Sequence, residues 1–229
     1  MSYEVLSKSE GINTDYTVHI KEFTHSTIEN QNFKCANCDR KIKNAKLRCH
    51  YFGRLYCNNC HQSAKYYIPA RLINNMDTKK YPVSENARYM LESVFRKPIF
   101  DIIYDNADLY SKSSLLNECK KMRSELEHIR WFLQTCKNNN AKNQFIMYLW
   151  PDDYLYETIH LYSLFDLTNI KDTFNKIKSA RDYGIGHILK DCELCLQKGF
   201  ICEICKSDQN IYPFQIENTT QWLVFLFIS

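Results

Sequence analysis

The chain has 229 residues, 45% of them apolar, with 16 Tyr and 13 Phe but only 5 Gly and 5 Pro. This composition can fill one large or two small cores, and it excludes a Gly/Ser- or Pro-rich linker and a low-complexity tail. The net charge of +4 is unevenly spread: Lys34 to Lys80 holds eleven basic and two acidic residues, a local +9, which leaves −5 for the rest. Part of that excess balances metal-bound thiolates; the sharper reading is a surface for anionic lipid headgroups or an acidic partner. No window reaches the ~20 apolar residues of a membrane span, the terminal WLVFLFIS being too short. The N-terminal MSYEVLSKSEG lacks the apolar core of a signal peptide, so a cytoplasmic chain is expected.

In chain order, residues 1–33 are polar and aperiodic and read as a flexible arm. A zinc module is expected over 34–80. Its Cys35-Ala-Asn-Cys38 and Cys57-Asn-Asn-Cys60-His61 form two C-x-x-C pairs whose four thiolates suit one tetrahedral ion. The stretch Arg48–Cys57, with Gly53 between aromatic and apolar residues, reads as a short hairpin. Cys49 and His61 are left over, either as ligands of a further site, the reading we favour, or as packing beneath the knuckles.

Residues 81–190 read as helical. Leu115, Cys119, Met122, Leu126, Ile129, Leu133 and Cys136 follow a 4-3-4-3 spacing, the seam of a long helix against a neighbour. On that stripe Cys119 and Cys136 read as buried small hydrophobes, and His128 beside it as a solvated helix residue. A second helix is expected from the capping box Ser163-Leu-Phe-Asp166 through Ile170, Phe174 and Ile177 toward Ile188, broken at Gly184 and Gly186. His187 is near enough to Cys192 to ligate, though a helix-end histidine is more often a cap or a surface group.

A second zinc module is expected over 191–215, where Cys192-Glu-Leu-Cys195 and Cys202-Glu-Ile-Cys205 flank Gly199, with Ile211–Gln215 as a strand-like cover. Four C-x-x-C pairs arranged two by two favour zinc over a disulfide framework or a redox dithiol. The fold class expected is α+β, mainly α: a helical middle flanked by two small zinc-knuckle modules. The candidate metal ligands are Cys35, Cys38, Cys49, Cys57, Cys60, His61, Cys192, Cys195, Cys202 and Cys205.

CANCDRKI, RCHYFGRLYCNNCHQSAKYYIPARLINNMDTKKYPVS, HLYSLFDLTNI and DCELCLQKGFICEIC with IYPFQ resemble the Rubicon homology domain, from about Phe33 to Gln215. The most specific string is YCNNCH followed by IPAR. The resemblance implies a zinc-finger and helix module acting as a non-enzymatic adaptor. It would bind the GTP-loaded late-endosomal and lysosomal Rab GTPase, Rab seven, in endosome maturation and autophagy, peripheral to those organelles. Met76 stands where the family usually has tryptophan. After PFQ the family continues with a further Cys/His group, whereas residues 216–229 read IENTTQWLVFLFIS, expected to be an atypical, truncated or mis-spliced tail.

The alternative is a phosphoinositide-binding zinc-finger module on a membrane surface. A RING ligase is disfavoured because no C-x-H-x-x-C stands mid-module. Nucleic-acid binding lacks a basic reading helix and an aromatic stacking platform. Neither a phosphate loop, HExxH, a deaminase H-x-E pair nor a G-x-S-x-G elbow is found, so the expected metal role is structural.

Overall fold

The computed structural model describes residues 2–5, 16–43, 47–201 and 210–215, with backbone alone for 2–5 and 16–17. The chain is mainly helical with small two-stranded pieces, and it divides into two compact units. Residues 1–113 and 162–169 make the first; residues 114–161 and 170–229 make the second. No helix among the described residues is long and apolar enough to cross a membrane.

In the first unit, Ser2–Val5 pairs antiparallel with Tyr16–His19. Part of the stretch read as an arm is held by the unit: Tyr51 Oη accepts from the His19 N–H at 2.9 Å, and Phe23 stands edge-on to Tyr51. The expected hairpin forms, with Arg48 bridged to Leu55 and the Cys49 N–H donating to the Arg54 carbonyl at 2.9 Å. It turns at Gly53, whose φ of 68° lies in the left-handed region and where a Cβ would come within 2.6 Å of the Thr24 carbonyl oxygen. Lys65–Tyr67 pairs with Lys80–Pro82 around the helix Pro69–Asn75, which opens on a proline suited to a first helical position. The helix Glu85–Val94 is capped by the Ser84 side chain. Cys49, Tyr51, Leu55, Tyr56, Ile68, Val83 and Leu91 centre one core.

The second unit is built on two long helices, Ser114–Gln134 and Ile170–Gly186. The seam is real but starts one residue later than its spacing suggests: Leu116, Cys119, Met122, Leu126, Ile129 and Leu133 are buried, and Leu115 only half-buried. From Cys119 onward they meet Ile177, Ala180 and Phe145 in one core, with Tyr212 and Phe214 stacked on each other beside Phe132. Ile211 makes one bridge, to Phe200, so the expected strand is reduced to a packed aromatic segment. Arg123 is fully buried on the same helix and donates to the carbonyls of Tyr154, Leu155, Thr158 and Leu161 at 2.6–3.1 Å. Its guanidinium thereby gathers four carbonyls of one loop onto a single buried cation, those of Tyr154 and Thr158 also accepting the Thr158 and Leu161 N–H groups.

The expected second helix is two. The capping box is present, Asp166 N–H donating to Ser163 Oγ at 3.1 Å and Ser163 N–H to Asp166 Oδ2 at 2.8 Å, but it starts only the short Leu164–Thr168. At Asn169 the backbone leaves helical geometry, and Ile170 starts the next helix in the other unit. The break expected at Gly184 and Gly186 is absent too: the helix runs through Gly186 into a π-helical turn, His187–Asp191.

Candidate metal centres

Each unit gathers one group of four ligand atoms, all within 4.8 Å of one another: Cys35, Cys38, Cys57 and Cys60 in the first, Cys136, His187, Cys192 and Cys195 in the second. Among the described residues these are the groups able to hold a metal ion.

In the first, each C-x-x-C pair closes a tight turn. Asp39 N–H donates to the Cys35 carbonyl at 3.1 Å, and Cys60 N–H to the Cys57 carbonyl at 3.0 Å. Such turns leave amides facing the sulfurs: Cys57 N–H donates to Cys35 Sγ at 3.3 Å, and Asn37 Nδ2 to Cys60 Sγ at 3.3 Å. Cys38 and Cys57 Sγ stand 3.6 Å apart. A tetrahedron with ~2.3 Å metal–sulfur bonds has edges of about 3.8 Å, whereas a disulfide needs ~2.05 Å, so the spacing fits coordination. Burial works against ionising Cys35, yet the amides of Asn37, Cys57 and Cys38 hold its thiol down at about 6. For Cys60 the Asn37 amide pulls the other way, but burial and the thiols of Cys57, Cys38 and Cys35 push it up to about 12. One thiolate is welcome and the fourth is not, unless a cation joins them.

The second group has the same dimensions. Cys136 Sγ lies 3.5 Å from His187 Nε2 and 3.8 Å from Cys192 Sγ, and Cys195 Sγ 3.8 Å from His187 Nε2. Nitrogen–sulfur and sulfur–sulfur edges of a mixed tetrahedron are about 3.5 and 3.8 Å. The Cys195 amide favours ionised Cys192, whereas burial, reinforced by the Cys136 and Cys192 thiols, pushes Cys195 up to about 12.

His187 reaches the group because of the π turn. On an α-helix, residues five apart lie about 140° round the axis from each other. Closing Cys192 N–H onto the His187 carbonyl at 3.0 Å widens the turn and brings the ring and Cys192 to one side. Cys136 corrects the seam reading. The helix ends at Gln134, so Cys136 lies past it in a turn closed by its N–H on the Leu133 carbonyl, and its sulfur leaves the stripe for the group. Both cysteines are buried in the core as expected, but Cys119, still inside the helix, belongs to neither group.

Of the sequence-derived candidates, Cys35, Cys38, Cys57, Cys60, Cys192 and Cys195 are brought into the two groups. Cys49 and His61 are not. Cys49 is fully buried among Tyr51, Leu55 and Tyr56. His61 is engaged by the backbone at both ring nitrogens, Nε2 at 3.1 Å from the Arg48 carbonyl and Nδ1 accepting from the Ser63 N–H at 3.3 Å. Cys202 and Cys205 lie outside the described residues. Four protein ligands complete a tetrahedron at each group, leaving no position for a reacting water, which suits an ion that braces the fold.

A family model described as the Rubicon Homology Domain matches residues 47–222. Human "Pleckstrin homology domain-containing family M member 3" is 38% identical over 201 residues, covering 83% of this chain and 26% of that protein. Human "Protein associated with UVRAG as autophagy enhancer" is 36% identical over 192 residues, covering 81% and 28% respectively. Mouse "Run domain Beclin-1-interacting and cysteine-rich domain-containing protein" is 32% identical over 209 residues, covering 88% and 21%. The chain thus spans about a quarter of the length of these relatives.

Proposed function

The chain belongs to the Rubicon homology domain family, and on that premise we propose that it is a zinc-stabilised, non-enzymatic adaptor domain that binds the GTP-loaded late-endosomal Rab GTPase, Rab seven, in endosome maturation and autophagy. It would act in the cytoplasm, peripheral to late endosomes and lysosomes. The observation that carries the reading is the pair of four-ligand groups, one per unit, inside a chain whose relatives are named for autophagy and Beclin-1 interaction. Thiolate and imidazole donors at tetrahedral spacing select zinc among the common divalent ions. Each ion would tie segments apart in sequence, Cys35 to Cys60 across the hairpin and Cys136 to Cys195 across the end of the helix Ile170–Gly186, which would hold these elements rigid for a partner. A Rab's switch regions are ordered by the γ-phosphate, and an effector that reads them gains affinity in that state alone.

Metal analysis should find two zinc ions per chain, and a pull-down should retain the Rab loaded with a GTP analogue over the GDP form. Equal retention of both nucleotide states would sink the Rab reading; less than one zinc per chain would sink the zinc reading.

A further inference from the structure

The metal groups and the helical packing leave the cationic excess of the first unit without a role. Beside the first thiol group opens a cleft of about 450 Å³, formed between Arg40, Lys41 and Lys43 and the stretch bearing Tyr56, Asn58 and Asn59. We propose that this cleft binds a phosphate-bearing anion, a phosphoinositide headgroup or a free inositol phosphate, on the Arg40, Lys41 and Lys43 cations and the Asn58 and Asn59 amides.

The charges around the cleft all point one way. No carboxylate is among its described lining residues. Arg40, Lys41 and Lys43 make no ion pair among the described residues, whereas Arg71 is paired with Glu22 and Arg88 with Glu85 and Glu92. The plainer explanation, that these cations neutralise the metal complex, accounts for only part of them. A dication in four thiolates carries −2, which reduces the local +9 to +7. The Arg71–Glu22 pair offsets one more charge, and Asp39 and Asp77 are already within the +9, so about +6 remains.

The same ion would fix the shape. Lys34 bridges Lys41, and Cys35 N–H donates to the Arg40 carbonyl at 2.8 Å, which ties the Arg40–Lys43 segment to the first knuckle. Across the cleft, Tyr56 N–H donates to the Leu47 carbonyl at 2.9 Å, and Asn58 and Asn59 lie within the second knuckle, between Cys57 and Cys60. Coordinating both knuckles to one ion therefore sets the width of the cleft. Its volume falls in the range of about 300–1,000 Å³ typical of small-ligand sites. An arginine fork matches a phosphate in two hydrogen bonds, lysines add point charges, and the neutral amides read hydroxyl or phosphate oxygens. The inference stands independently of Rab binding.

The test uses the full, metal-loaded chain. Titration calorimetry with soluble inositol bisphosphate and with inorganic phosphate is run beside flotation of vesicles made of phosphatidylcholine alone, with phosphatidylserine, or with a phosphatidylinositol monophosphate. We expect saturable binding of the inositol phosphate. Lys41→Gln with Lys43→Gln should weaken it about 25-fold, about fivefold per cation removed. Asn59→Ala should weaken it with the charge intact, and both variants should keep their zinc and their Rab retention. Capture of phosphoinositide vesicles as well assigns the lipid headgroup; binding of the soluble compound alone assigns the free anion, and either supports the cleft. Equal capture of phosphatidylserine vesicles with no binding of the soluble compound would overturn it, showing a diffuse cationic face. So would undiminished binding by the lysine variant, or no binding in any arm. Absence of anion binding by the unaltered chain, with its Rab retention intact, refutes this inference alone.

Discussion

Gly184 offers a sharp test of the packing, because two effects of opposite sign meet there. It sits inside the helix Ile170–Gly186, where replacing glycine by alanine should gain about 1 kcal/mol of helix propensity. A Cβ at this position, however, would collide with Ile129 Cγ2 and reach within 3.1 Å of Phe145 Cε2. Both neighbours belong to the unit's core, Ile129 at 0% and Phe145 at 2% exposure, so neither has room to swing away. Overpacking of this kind costs about 1–3 kcal/mol, and the closeness of the Ile129 contact puts Gly184→Ala at the upper end. The net expectation is a loss of about 1–2 kcal/mol, a fall in melting temperature of roughly 4–10 °C. Gly186→Ala is the control: nothing lies within 4 Å of its would-be Cβ, and its backbone is helical, so it should gain up to about 1 kcal/mol. Trp131 and Trp150 both lie in this unit, so tryptophan fluorescence during urea unfolding reports it. Gly184→Ala as stable as the parent, or Gly186→Ala as damaging as Gly184→Ala, would refute the close approach of the helices.

Cys136→Ala should lose one of two zinc ions and unfold the second unit, since a structural site contributes on the order of 10 kcal/mol, whereas Cys119→Ala should retain both; metal analysis of the two variants decides it. Arg123→Met should cost about 3 kcal/mol in urea unfolding, because it takes the guanidinium donor from the Leu155 and Leu161 carbonyls, and a cost below about 1 kcal/mol would show that water replaces the guanidinium. Leu126→Asp, placing a charge at a fully buried seam position, should abolish cooperative unfolding at normal expression temperatures; a cooperative melt within a few degrees of the parent would contradict that burial.

What the sequence made legible was the part written in local spacing. Cys35, Cys38, Cys57 and Cys60 could be grouped because two knuckles joined by one hairpin leave few other arrangements. The seam from Cys119 to Leu133 followed from the helical repeat. Cys136 failed because periodicity does not say where a helix stops: two residues beyond Gln134 the same spacing means something else. The signal that could have moved it was the run Cys136-Lys-Asn-Asn-Asn, rich in residues that favour turns. His187 was within reach of Cys192 in number, but only the π turn, which no simple repeat announces, aims it there. Cys49 and His61 misled because proximity in sequence to a knuckle is not proximity to its ion: the hairpin buries Cys49, and the backbone of Arg48 and Ser63 holds the His61 ring. Arg123 was invisible because its partners are carbonyls, which every residue carries.

The return of residues 162–169 to the first unit has a consequence for synthesis. Tyr162, Leu164 and Leu167 are completely buried, and the Phe165 ring lies edge-on to Phe95 and under Arg96. When Ser113 has been made, the amino-terminal unit still lacks this piece, and 48 further residues must be added before Tyr162 exists. At about 5–20 residues per second that is a wait of roughly 2–10 s, with Phe95 and its surroundings uncovered. Neither unit can be released whole by a single cut, and a nascent chain stalled within residues 114–161 presents an unfinished apolar face to chaperones while its first thiol group can already take up its ion.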